Sequence, residues 1–381
     1  MPNNITKAAE YLEVFEDSLK EFEVLDTFNN IKLKGVICRR SDYRYGSMVL
    51  FEVDQEVVTP QIIYGTPKLQ YPSDKKGVFH WPKIKQVELW DKLDGTNILA
   101  YHYFNKEGFR FLTYKTRLGP VISDTVYGPF LSMWKELLND NEWIEDVIND
   151  NSVFNLSFEL YGTRNPITIQ YNVPLTTKLL FGVNRFNCSV MPPNELNTNC
   201  LPNNSIPKKY NFTVGDVTEL YQFVRSEMSK SNCNGLVQEG IVFYADIGGP
   251  SWKMFKCKPE EIEKIHWAAS GVIQKRAVWN TIINAFEDIE PDLDYVIELL
   301  KEEYSDKMIF KSKPRIKNIF RDVMKHMQDT KRINEVYIIA KEKGFNLSKD
   351  KTETFRFLSR YFKREEMKKV GTILLKQIKG E

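Results

Sequence analysis

Near residue 260 the hydrophobic rhythm of this chain changes, and that change constrains the fold more than any other feature. Upstream, short runs rich in β-branched and aromatic residues recur over 31–63 and again at 87–90, 98–104, 109–114, 153–160, 178–183, 240–245 and 252–257. Such runs read as strands of antiparallel sheets. Helix-like stretches at 123–138 and 215–230 interrupt them, and residues 1 to about 20 carry a helical spacing through Ala8, Tyr11, Leu12 and Phe15. Downstream, apolar residues recur every three or four positions. The sets are Ile262, Ile265, Ala269 and Val272, then Val278, Ile282 and Phe286, then Leu293, Val296 and Leu300. Phe320, Val323 and Met327 continue the series, as do Val336, Ile339 and Ala340. Pro291 and Pro314 are expected to punctuate it, Gly344 to stop a helix, and 354–378 to form a last helix or helix pair. The expected class is α+β: a strand-rich domain over 1–260 with an N-terminal extension, then an all-helical domain over 261–381.

Length and composition narrow the setting. The 381 residues suffice for two or three domains, and a hydrophobic share of 42% allows a sizeable core. No run of eighteen apolar residues exists, so no membrane span is expected. The N-terminus (Met1-Pro2-Asn3-Asn4-Ile5) lacks a signal-peptide apolar region. The five cysteines are dispersed and form no C-x-x-C pair, and the four histidines (His80, His102, His266, His326) are scattered. No zinc site is visible, and a reducing, cytoplasmic compartment is expected. No G-x-x-x-x-G-K-[ST] and no G-x-G-x-x-G occurs, which argues against a P-loop or Rossmann site. The polar stretch 192–209 reads as a surface loop. The net charge of +2 hides an asymmetry: residues 301–381 carry 22 Lys+Arg against 12 Asp+Glu. That piece is a candidate for contact with a polyanion, the alternative being a solvated helical surface or a homodimer contact.

The chemistry is concentrated in Lys92-Leu93-Asp94-Gly95-Thr96-Asn97, which follows the strand-like Val87, Leu89 and Trp90. A lysine so placed can attack a nucleotide α-phosphate, provided that cations or desolvation lower its ordinary pKa of about 10.4. The competing reading is a plain hairpin, since Asp-Gly is a turn signal anywhere. Lys256 and Lys258 alternate along a strand, so both side chains point to one face, suited to gripping phosphate and to repelling a proton from Lys92. Glu159 lies in a strand-like run, and Glu239 precedes another, with Gly240 beside it permitting close backbone approach. Carboxylates at Glu159 and Glu239, with Asp94, suit Mg²⁺ better than a softer metal. Arg117 lies beside Lys115 in a basic patch that could also touch nucleic-acid phosphates. Phe181 sits in an apolar run, with Phe186 as a rival aromatic.

In this order the pieces resemble the motifs of the covalent nucleotidyltransferases: ATP-dependent RNA ligases, DNA ligases and mRNA-capping guanylyltransferases. The resemblance covers roughly residues 60 to 260. It implies that Lys92 accepts the nucleotide, that Arg117 (in Thr116-Arg117-Leu118-Gly119) contacts the ribose, and that Glu159 (in Phe158-Glu159-Leu160-Tyr161-Gly162) reads the ribose or serves the metal. It implies that Phe181 stacks on the base, that Glu239 (in Glu239-Gly240-Ile241-Val242) helps bind metal, and that Lys256 and Lys258 hold the α-phosphate. Asp94 and Gly95 belong to the nucleotide site by the same likeness, and the nucleotide is expected between the sheets. DNA ligases and capping enzymes usually follow the last motif with a small β-barrel, whereas here the chain turns helical. The resemblance therefore favours an RNA ligase that uses ATP with Mg²⁺, or Mn²⁺ in its place, to join RNA 5′-phosphate and 3′-hydroxyl ends. The alternatives are a DNA ligase, a guanylyltransferase or a non-catalytic RNA-binding relative.

Overall fold

The computed structural model of the chain describes residues 3–74, 77–124, 128–165, 171–212, 215–233, 239–249, 251–259, 273, 275–347 apart from 287–290, and 349–379. Two compact units emerge. The first comprises 1–124, 129–269 and 287–290, and the second 125–128, 270–286 and 291–381.

The first unit is built from three antiparallel sheets. A four-stranded meander runs β1 (Leu19–Asp26), β2 (Ile31–Cys38), β3 (Met48–Val53) and β4 (Glu56–Ile63). One of its faces receives Ala8 and Leu12 of α1 (Asn4–Leu12). The other places Leu33, Met48 and Leu50 against Tyr101 and Tyr103 of a second sheet. The helix expected over 1–20 stops early: Glu13 takes a left-handed cap at φ 54°, and the chain enters β1 at Leu19. Phe15, counted toward that helix, is 75% exposed.

The second sheet contains β6 (Thr96–Phe104), β7 (Arg110–Lys115), β8 (Phe154–Tyr161), β9 (Thr176–Asn184) and β10 (Val190–Met191), in the order β10-β9-β8-β6-β7. Trp134 of α2 (Phe130–Asp140) packs on Tyr114 and Phe158. A further helix, α3 (Trp143–Asp150), buries Ile144, Val147 and Ile148 and had no counterpart in the sequence reading.

The third sheet is β11-β5-β12-β13, formed by β5 (Gln86–Lys92), β11 (Lys209–Tyr210), β12 (Gly240–Asp246) and β13 (Trp252–Cys257). Its strands are apolar on both faces. Leu89, Phe243 and Cys257 pack with Leu220, Tyr221 and Val224 of α4 (Val217–Cys233). The alternate residues Trp90, Val242, Tyr244 and Met254 pack with Phe181 and Val183 of the second sheet. Each such side chain, fully buried, contributes about 1.5–3 kcal/mol relative to exposure. The stretch 192–209 is not purely a surface loop, because Leu196 and Ser205 are buried and Ile206 packs on this inter-sheet core.

The second unit is helical: α5 (Lys275–Phe286), α6 (Leu293–Glu303), α7 (Asp306–Glu342), α8 (Lys351–Leu358) and α9 (Met367–Lys379). Val278, Ile282, Val296, Leu300, Ile316 and Val323 share one core, and Ile333, Tyr337, Phe357 and Leu374 another. Pro314 does not break the series. It lies within the 37-residue α7 at an exposed position on the side away from the core, where solvent can take the place of the hydrogen bond that a proline cannot donate. Gly344, at φ 87°, follows the end of α7 as expected. The segment 354–378 resolves into the pair α8 and α9. The helical spacing at Ile262, Ile265, Ala269 and Val272 lies outside the described residues.

Candidate active site

The site grows from one consequence of strand periodicity. In β5, Trp90 faces the second sheet, so Lys92, two residues on, projects to the same side. In β13, Trp252 and Met254 face that side, and Lys256 continues their row. Register aligns the elements further, since Gly240 pairs with Lys92, Trp90 with Val242, and Val242 with Lys256.

Lys92 is not the foot of a hairpin. The strands on either side of its turn, β5 and β6, belong to different sheets, so 93–95 is the crossing between them. Gly95 is required by contact: a Cβ there would lie 2.4 Å from the Leu160 carbonyl oxygen and 3.0 Å from Glu159 Cγ. The Asp94 backbone N–H donates to Tyr171 Oη at 2.8 Å, which fixes the crossing from a third side. Gly240 also answers a backbone contact, though with protein. A Cβ there would meet the Cys257 carbonyl oxygen at 2.4 Å.

The Glu239 carboxylate holds two lysines. Lys92 Nζ donates to Oε2, and Lys258 Nζ lies 3.7 Å from Oε1. The site expected as a cluster of ammonium groups is thus interleaved with an acid. Lys256 is nearly buried, and its Nζ stands 4.3 Å from the centre of the Tyr71 ring, a cation–π contact.

Glu159 lies on the interior face of β8, in a row with Asn155 and Ser157, all buried. Burial pushes its carboxyl up to about 7, an effect that the charges of Arg117 and Lys92 oppose and those of Glu239 and Asp94 reinforce. Opposite it in the ladder stands Asn97, whose amide donates to Ser157 Oγ at 2.8 Å and whose oxygen accepts from Thr66 Oγ1 at 2.7 Å.

Arg117 does not belong to an exposed basic patch. Lys115 is fully buried, and its Nζ donates to the carbonyls of Thr116 at 2.7 Å and Arg117 at 2.8 Å. From the other side Gly46, at φ +73°, presses on the Arg117 carbonyl so closely that a Cβ would come within 1.9 Å of its oxygen. The loop carrying Arg117 is thereby clamped between two elements.

Trp90, Lys92, Asn97, Arg117, Glu159 and Phe181 line a single pocket. Its cavity volume is about 40 Å³. Phe181 is buried in this wall, whereas its rival Phe186 is 77% exposed and away from it. Lys258 and Glu239 stand at the Lys92 end through their ion pairs, and Lys256 stands one strand over. Sequence reading passed over Thr66, Tyr71 and Tyr171, which come from segments without motif character, took Lys115 for part of a basic patch, and gave Asn97 no role. Oxygen donors for a hard cation are present at Glu159 and Glu239. Among the described residues no cluster of three or more Asp, Glu, His or Cys could hold a metal by itself, so any ion there would rely on ligand oxygens as well.

No protein-family model matches the sequence, and no curated protein matches it. Solved structures do. An archaeal ATP-dependent RNA ligase is 16% identical with a TM-score of 0.48, over 81% of each chain. A putative ATP-dependent DNA ligase from Aquifex aeolicus is 13% identical with a TM-score of 0.44, over 93% of this chain and 87% of that one. A Naegleria gruberi RNA ligase variant, solved with AMP and Mn, is 14% identical with a TM-score of 0.33, over 47% of this chain and 51% of that one. At such identities and scores, the functional reading has to stand on the side chains themselves.

Proposed function

We propose that the chain is an ATP-dependent RNA ligase that works through a nucleotide bound covalently to Lys92. The observation that carries this reading is the shared carboxylate: Lys92 and Lys258 meet on Glu239, beside a pocket lined by Arg117, Glu159 and Phe181. A structural lysine needs one partner. Here a second ammonium already lies near the same acid, so Lys92 can leave Glu239 without stranding a buried charge.

In the reaction, Lys92 Nζ gives up a proton and attacks the α-phosphorus of ATP. The N–P bond forms as the bond to the bridging oxygen of the β-phosphate breaks, and pyrophosphate departs. Lys256 and Lys258 hold the α-phosphate oxygens and stabilise their charge in the transition state. Phe181 and Trp90 face the base, Arg117 and Asn97 the ribose. Glu159 and Glu239 fit a hard divalent cation that also takes phosphate oxygens. When bound, Mg²⁺ or Mn²⁺ neutralises triphosphate charge. The AMP then passes to an RNA 5′-phosphate, and a 3′-hydroxyl displaces it to seal the strand.

The test is label transfer. Wild-type protein incubated with α-labelled ATP and Mg²⁺ is expected to carry label through denaturing electrophoresis, and Lys92→Ala to carry none. Labelling of Lys92→Ala at the wild-type level sinks the assignment. Labelling from GTP instead of ATP indicates a guanylyltransferase, and sealing of nicked DNA in preference to RNA indicates a DNA ligase.

A further inference from the structure

We propose that the outward face of α7 is a docking surface for single-stranded RNA, with Phe310 stacking on a base and Lys313, Lys317, Arg321 and Lys325 tracking the phosphates. The proposal rests on the ligase reading for its choice of polyanion, and on α7 itself for its location.

At 100° per residue, the buried residues Met308, Ile316, Ile319, Val323 and Met327 define the core side of the helix. Phe310, Lys317 and Arg321 point nearly opposite. Lys313, Lys317, Arg321 and Lys325 follow one another at i, i+4 spacing, and all four are exposed. From 307 to 325 the helix carries seven basic residues and one acid, Asp322, which lies off this row. Among the described residues no ion pair involves any of the seven, whereas farther along α7 Asp329 pairs with Lys369 and Arg332 with Glu366. Like charges at i, i+4 repel, and a solvated helix ordinarily intersperses acids to relieve them. This segment does not, so its stability improves on contact with a polyanion.

Phe310 gives that polyanion a chemistry. It is 81% exposed, the most exposed of the large hydrophobic side chains among the described residues. It lines a shallow surface recess with Lys311, Lys313, Pro314 and Lys317. An aromatic ring among cations suits a stack of unpaired bases with phosphates alongside. A duplex buries its base faces and would leave the ring without a partner. An acidic protein surface would answer the charge but has no requirement for the ring.

The experiment uses the full chain and a 5′-phosphorylated single-stranded RNA of about twenty nucleotides, with affinity measured across a salt series. The triple variant Lys313→Gln, Lys317→Gln, Arg321→Gln should reduce the slope of log affinity against log salt by about 2, at roughly 0.7 per lost phosphate contact. Phe310→Ala should weaken single-stranded RNA about tenfold, with the salt slope kept and little change on duplex RNA. Label transfer from ATP to Lys92 should be unchanged in both variants. Because neutralising the row removes repulsion, the triple variant should melt no lower than wild type. An unchanged affinity and slope in the folded triple variant overturns the proposal, as does a wild-type chain that binds no RNA. A wild-type chain that takes no label from ATP, yet binds RNA with these variant effects, would instead count against the ligase reading and leave this surface standing.

Discussion

Gly240 pairs with Lys92 across the β5–β12 ladder, and the residue before it, Glu239, receives the Lys92 ammonium. This couples the two distant motifs through backbone register: any slip of β12 along β5 by one residue would turn its side chains to the other face and carry the acid away from the lysine. It also places Lys258, which follows the strand on the far side of β12, within reach of the same carboxylate.

Glu239→Ala should therefore affect more than metal affinity. Both lysines lose a partner in a site that is only partly exposed, so stability is expected to fall by about 1–3 kcal/mol. Lysyl-AMP formation should slow by roughly 100-fold or more, the scale of losing one preorganised electrostatic group. Single-turnover labelling with α-labelled ATP and a thermal melt measure the two effects separately. A variant that labels at the wild-type rate would remove Glu239 from the site.

Glu159 makes stability depend on pH. Its carboxyl titrates near 7 in the folded chain against an ordinary 4.5. Between those values the folded state keeps a proton that the unfolded state has lost. Stability therefore falls as pH rises from about 4.5 to 7, by up to ~3 kcal/mol from this group. Glu159→Gln should abolish that decline, gaining most over wild type above pH 7 and little near pH 4. Denaturant melts of both proteins at pH 5 and pH 8 check this. The difference should vanish if the carboxyl titrates normally.

Lys115→Met retains length but removes the donor to two carbonyls, including that of Arg117. Leaving buried acceptors unpaired costs about 1–3 kcal/mol. With the Arg117 loop released, the KM for ATP should rise by more than kcat falls, since positioning rather than bond-making is lost. Unchanged KM at reduced stability would make Lys115 purely structural.

Phe181 and Phe186 separate the two aromatic candidates. Phe181→Ala empties a buried position in the pocket wall and is expected to cost ~3–5 kcal/mol. Phe181→Leu should fold and bind ATP more weakly. Phe186→Ala, at an exposed position, should change stability by no more than about 0.5 kcal/mol and leave ATP binding as it was. Calorimetric titration with ATP distinguishes them.

Many of the strand positions along the chain were legible in the sequence because strands announce themselves locally. The runs at 87–90, 178–183 and 240–245 fall within β5, β9 and β12, and Lys256 falls on β13 with its side chain in the row of Trp252 and Met254. What escaped was anything set by a distant partner. The short helix α3 has too few residues to show a period. Pro314 read as a break because local rules forbid it inside a helix, yet the tertiary core on the other side of α7 holds the helix through it. Lys115 and Arg117 read as one basic patch because sequence spacing does not tell that one is buried under Gly46 and the other faces a pocket.

The sequence by itself determined which side chains could carry the chemistry and the faces on which periodicity would present them: Lys92 beside Trp90, Lys256 beside Met254, and the basic row of α7 opposite its apolar row. Only the tertiary structure decided that Asp94-Gly95 crosses between two sheets rather than closing a hairpin, and that Glu239 lies between Lys92 and Lys258. The reason is physical. Periodicity is encoded within a few residues by the geometry of each strand or helix, whereas which sheets meet, and which charges face one another, follows from burial and register summed over the whole domain.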